Sequence, residues 1–119
     1  MLEQSVEDYL TERVVYNGGM CEKLVTPGKV GPPDRLITWP GVIHFVETKA
    51  PNGVLESWQE RDHARRRKLG CHVFVIWTKK QVDDYVERFG IASTSRFLVT
   101  FGKPTKWDKT VLAHTLKNG

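Results

Sequence analysis

Cysteine is scarce in this sequence. There are two in 119 residues, Cys21 and Cys71, and neither stands in a C-x-x-C pair. That excludes a disulfide framework and a cysteine-built zinc module, and makes a reducing cytoplasm the expected compartment. The histidines, His44, His63, His72 and His114, lack the spacing of zinc ligands and read as structural or surface residues. No apolar run comes near the ~20 residues needed to cross a bilayer. The start, MLEQSVEDYLTERVV, is acidic and broken by charge, unlike a secretory signal with its basic opening and apolar centre. A soluble protein with no membrane partner is therefore expected. Repeats and low-complexity stretches are missing as well. Acidic side chains are the minority, 14 against 18 Lys and Arg, so the chain attracts polyanions mildly, which alone does not identify nucleic acid as a partner.

What remains is the composition of one folded domain, read here as spanning residues 1–119. Val6, Leu10 and Val14 recur at helical spacing, with Asp8 and Glu12 opposite, and Asn17-Gly18-Gly19 ends that helix. MCEKLVT reads as a strand, followed by the Gly/Pro loop PGKVGPP, which continues neither regular structure. DRLITW and VIHFVETK read as strands rich in β-branched and aromatic residues. After the turn APNG, VLESWQERDHARRRKLG reads as a helix with Leu55, Trp58, Asp62 and Leu69 on one side and Gly70 as its stop. CHVFVIW reads as a buried strand opened by a core Cys71. TKKQVDDYVERFG reads as a helix with Thr78 as N-cap and Gly90 as stop. RFLVTF is one further candidate strand before a polar tail. The order predicts an α/β fold, a mixed sheet flanked by helices, with a right-handed crossover joining VIHFVETK to CHVFVIW.

The segment PPDRLITWPGVIHFVETKAPNG sets charges into strand sequence, where unpaired they are expensive to bury. If Pro40-Gly41 forms a two-residue turn, Trp39 pairs with Val42, and counting outward sets Asp34 opposite Glu47. Side chains at opposed positions have Cβ atoms ~4.5–5.5 Å apart, and like charges there destabilise the pair. A divalent cation compensates, since two carboxylates, a backbone carbonyl and waters make a hard-oxygen site. A register slipped by one residue would separate the acids, and the alternative to a metal site in any register is Asp34 as a loop cap with Glu47 and Lys49 as a solvated strand end. Lys49, two residues after Glu47, shares its face.

Arg61, Arg65 and Lys68 fall on one flank of the second long helix, with Arg66 and Arg67 beside them. This is either a solvated charged face or a track for phosphates. Trp39, Trp58 and Trp77 read as core or turn packing, and Trp107 as a residue that could serve an interface.

GPPD, a hairpin, HFVETK, and a Gln one turn into the next helix (LESWQ) together resemble the PD-(D/E)xK nuclease superfamily, and within it the VRR-NUC family. The resemblance runs from the acidic first helix to GCHVFVIWTKK. It implies a restriction-endonuclease-like core in which Asp34 and Glu47 bind Mg2+ or Mn2+. Thr48, where the family often carries Val, would add its backbone carbonyl, Lys49 would be the catalytic lysine, and Gln59 would support the active site. The family also uses a glutamate from the first helix, for which Glu7 is the best match, at the margin of the apolar face. Gln59 lies within ~40° of Leu55 on the wheel, which turns it toward the sheet.

The expected function is a metal-dependent endonuclease hydrolysing DNA phosphodiester bonds. The resemblance associates small stand-alone members with phages, bacteria and branched DNA such as Holliday junctions, and a homodimer would supply two symmetric cuts. Arg61, Arg65 and Lys68 would then contact the DNA backbone. The rivals are a non-catalytic nucleic-acid-binding module and a subunit of a phage DNA-processing complex.

Overall fold

The computed structural model describes residues 4–90. The candidate strand RFLVTF, Trp107, His114 and the polar tail lie outside them. The elements run α1 (Val6–Tyr16), β1 (Met20–Lys23), β2 (Arg35–Trp39), β3 (Val42–Thr48), α2 (Ser57–Lys68), β4 (His72–Ile76) and α3 (Lys79–Phe89). This is the predicted order, with β1 shorter than MCEKLVT suggests. The strands form one mixed sheet in the order β1-β2-β3-β4. The first three are antiparallel, and β4 joins β3 in parallel after α2, as the crossover requires.

Pro40-Gly41 forms the two-residue connection. Trp39 pairs with Val42 and Arg35 with Val46, and Gly41 carries the positive φ of 79° that the turn demands. Continuing the register by one residue sets Asp34 opposite Glu47, so the slipped alternative is not adopted.

Strand alternation divides the sheet into two differently covered faces. Ile37, Trp39 and Val46 pack with Ile76 against Leu10 and Val14 of α1 and Val82, Tyr85 and Val86 of α3. Each helix supplies these residues at three- or four-residue spacing. Ser5 caps α1 through Asp8 N, and Thr78 caps α3 through Gln81 N, both at 3.1 Å. The other face carries Phe45, Glu47 and Lys49. There α2 lies across the sheet, with the Arg66 guanidinium 4.9 Å from the Phe45 ring centre and Gln59 bonded to Glu47.

The buried face of α2 differs from the expected one. His63 is fully buried, whereas Trp58 and Leu69 are exposed, so neither Trp58 nor Leu69 is a core residue. The reason is that α2 meets the sheet through polar and charged side chains, which an apolar wheel cannot register. Cys71 is half-buried and precedes β4 rather than opening it within the core. Trp39 is core as expected, and Trp77 is half-buried, with its indole N–H donating to the Gly53 carbonyl in the turn.

Under the α1/α3 layer, Tyr85 Oη accepts from Trp39 Nε1 at 2.9 Å and lies 2.7 Å from His44 Nδ1. The hydroxyl, which already receives the indole proton, can give its own to Nδ1 when His44 is the neutral Nε2–H tautomer. Burial, then the neighbouring His72, pushes the His44 pKa down to about 4. A depressed histidine pKa means that protonation favours the unfolded chain. The stabilising contribution is complete above the unfolded pKa of about 6.5 and is lost as pH falls through about 4, amounting to about 3 kcal/mol. Urea titrations across that window should show the wild type losing more stability toward acid than His44→Phe, and parallel curves would refute the assignment.

Candidate active site

The ends of β2 and β3 and the first turn of α2 bring four predicted site residues together. Asp34, the last residue of the Gly/Pro loop, is partly buried. Its Oδ2 accepts from Thr48 Oγ1 at 2.9 Å and its Oδ1 from Thr48 N at 3.3 Å. Glu47 is 5% exposed. Its Oε2 accepts from Gln59 Nε2 at 3.0 Å and lies 3.7 Å from Lys49 Nζ. Gln59 does two things at once: while Nε2 holds Glu47, Oε1 accepts from Glu56 N at 3.0 Å, at the start of α2. The amide orientation that caps the helix is therefore the one that presents a donor to the carboxylate.

Both acids are held above their ordinary carboxylate range, and Asp34 acts on Glu47 as the register implies. Burial raises the Asp34 carboxyl above its ordinary pKa, opposed by the Thr48 bonds and by Lys49. Burial, then the charge of Asp34, pushes Glu47 up to about 7, although Lys49 and Gln59 pull the other way. Such a pair is stabilised by an added cation. Among the described residues no three His, Cys, Asp or Glu side chains form a metal-binding group. The donor set of two carboxylates and a nearby backbone carbonyl nevertheless fits a hard divalent ion, because Mg2+ is commonly held by one or two carboxylates and completes its shell with water and substrate phosphate.

Glu7 is placed differently from the two acids. It reaches the same end of the sheet but forms an ion pair with Arg35, whose side chain is 12% exposed. Glu7 also lines a cleft of about 470 Å3 that opens between the N-terminal ends of α1 and α3, together with Thr48, Lys49, Thr78 and Lys79. Lys49 thus stands between Glu47 and an open space large enough for a ligand group. On α2, Arg66 and Arg67 are bound within the protein, Arg66 to Asp62 at 2.7 Å and Arg67 to the Val73 carbonyl at 2.9 Å. Arg61, Arg65 and Lys68 are exposed.

Sequence reasoning missed the part played by the Thr48 hydroxyl, having valued this residue for its carbonyl alone. The signal was there, since a β-branched alcohol directly after Glu47 falls within reach of whatever opposes Glu47. Thr48→Val keeps the carbonyl, the branching and the volume. If Asp34 serves as a metal ligand, the substitution should weaken Mn2+ binding about 10-fold, the usual loss when a group orienting a metal ligand is removed. Thr48→Ser should restore most of the loss, and unchanged calorimetric titrations would leave the hydroxyl without a role.

No family model matches the chain. The protein named "Putative nuclease p44", from Acyrthosiphon pisum secondary endosymbiont phage 1, is 45% identical over 75 residues, covering 62% of this chain and 81% of that protein. A solved structure described as a VRR_NUC domain superposes with a TM-score of 0.64 at 44% identity, covering 69% of this chain and 90% of the other.

Proposed function

Starting from the finding that this chain belongs to the VRR-NUC family, we propose that it is a metal-dependent endonuclease that hydrolyses DNA phosphodiester bonds and selects branched DNA. The observation that carries this reading is the pair of carboxylates, Asp34 partly buried and Glu47 buried, at opposed positions of the β2–β3 hairpin with Lys49 3.7 Å from Glu47. Opposed acids raise each other's proton affinity and weaken the fold. A fold that keeps them, and holds each with a hydrogen-bond donor, does so for a ligand.

Asp34, Glu47 and the Thr48 carbonyl would hold Mg2+ or Mn2+. When bound, the ion supplies charge neutralisation and lowers the pKa of a coordinated water. Thr48 fixes the Asp34 carboxylate through two bonds, and Gln59 fixes that of Glu47 through one. Lys49 brings a positive charge to the edge of the cleft, where it orients the attacking water or stabilises negative charge developing on the phosphoryl group. Glu7 would join the ligand set either through Oε2, with Oε1 kept on Arg35, or by leaving Arg35. Arg61, Arg65 and Lys68 would contact phosphates, positioning the backbone without reading sequence.

A homodimer fits the branched-DNA reading, because a four-way junction has two-fold related strands and a C2 pair of sites meets them symmetrically. The test is cleavage of labelled duplex, flap and four-way-junction DNA of shared sequence, with Mg2+, Mn2+ or chelator. Sedimentation is measured in parallel. The expected result is cutting that needs the metal and favours the junction, by a species of twice the chain mass. Equal cutting in chelator would remove the metal, and a monomer cutting all three substrates equally would remove the selectivity.

A further inference from the structure

Helix α2 divides its cations between two tasks. Arg66 and Arg67 are committed to Asp62, Phe45 and the Val73 carbonyl, whereas Arg61, Arg65 and Lys68 face outward. At 100° per residue these three and Trp58 fall within a sector of about 80°. Trp58 begins that stripe and is 44% exposed, although tryptophan is highly buried on average. Among the described residues, no hydrogen bond, ion pair or ring contact engages its indole.

Its location matters as much as its exposure. Trp58 adjoins Gln59, which holds Glu47. Its backbone carbonyl is also approached by Gly31, where a Cβ would lie 2.8 Å from that oxygen and φ is +106°. Gly31 precedes Asp34 by three residues. Trp58 therefore stands, by its backbone, where the loop carrying Asp34 meets the helix turn carrying Gln59, at the active-site end of the cationic stripe, with its side chain exposed.

We propose that Trp58 stacks on an unpaired base of the DNA, so that the stripe acts as a reader of exposed nucleotides beside the cleavage site. The cations follow the phosphates, and the ring takes the face of a base that is not already stacked in a duplex. Charge supplies affinity that any DNA shares. Stacking on an aromatic side chain adds a further contribution, and it tolerates any sequence because every base has a π-face. A perfect duplex offers no free face, whereas a gap, flap or junction branch point does. This deepens the proposed function and rests on it, since it names the feature by which a branched substrate differs from a linear one.

The test uses the full chain carrying Glu47→Gln, so that DNA is bound without being cut, with and without Trp58→Ala or Trp58→Phe. Binding is measured at fixed salt to a perfect duplex and to the same duplex interrupted by a two-nucleotide gap. The gap carries 2-aminopurine as a stacking-sensitive fluorophore. The expected result is about 10-fold tighter binding to the gapped duplex, in line with the stacking of one base, with quenching of 2-aminopurine. Trp58→Ala should abolish both the preference and the quenching while keeping the duplex affinity, and Trp58→Phe should keep most of each.

Equal affinities of the parent protein for the two DNAs would overturn the proposal, as would a Trp58→Ala variant that retains the preference. A Trp58→Ala variant weakened equally on both DNAs would make the ring a general contact and overturn it too. Loss of self-association with unchanged DNA preference would assign the ring to an interface between copies instead. Failure of the parent to bind any DNA would count against the nuclease reading itself, which separates that failure from failure of the stacking role.

Discussion

Glu47→Gln is expected to lower the rate of DNA cleavage by about 1000-fold while leaving the protein folded. A metal ion that Glu47 would help to hold would supply several kcal/mol of transition-state stabilisation, and about 4 kcal/mol corresponds to three decades in rate. The amide replacement keeps the shape of Glu47 and still offers a carbonyl to Gln59 Nε2, so the helix contact survives. What is lost is a charge buried beside Asp34 and held at an unfavourable protonation balance, with a pKa of about 7. The variant should therefore be at least as resistant to urea as the wild type in chelator, and Asp34→Asn should behave likewise. Activity near wild type with Mg2+ would remove Glu47 from the site. Inactivity accompanied by a lower urea midpoint would show the acid to be structural.

Lys49→Ala is expected to separate rate from binding. Lys49 Nζ approaches Glu47 but borders the cleft rather than the α2 stripe, so under the proposed function its charge would act on the reacting phosphate and not on the DNA track. Removing one such electrostatic stabiliser costs about 100-fold in kcat, and the KM and the equilibrium affinity for duplex DNA should be little changed. Single-turnover kinetics with saturating enzyme read the chemical step directly. A loss carried by KM alone, with single-turnover rates preserved, would move Lys49 to the phosphate contacts.

The central hairpin was legible because strand pairing is arithmetic: a two-residue turn at Pro40-Gly41 fixes Trp39 against Val42, and Asp34 and Glu47 follow. Gln59 was legible from its spacing to Lys49, whereas the wheel count from Leu55 does not apply, because α2 begins at Ser57 and leaves Leu55 outside the helix. Trp58 was misread as core because a wheel ranks residues by hydrophobicity, and α2 docks through Gln59, His63 and Arg66. Glu7 could be set at the margin of α1, but its pairing with Arg35 joins residues far apart in sequence, which no local pattern encodes. The Thr48 bond to Asp34 likewise depends on side-chain reach at a strand end, where alternation no longer determines direction.

The register of the hairpin also bears on how the molecule is assembled. Asp34, Glu47, Lys49 and Gln59 all lie in one uninterrupted stretch of chain, crossed by a two-residue turn and a single strand-to-helix connection. Closing short loops costs little chain entropy, and local contacts are the quick ones to form. The chemistry is thus written into a segment that could be moved as a unit. Circular permutants with new ends in the Asn17-Gly18-Gly19 turn would leave every one of these contacts within continuous polypeptide.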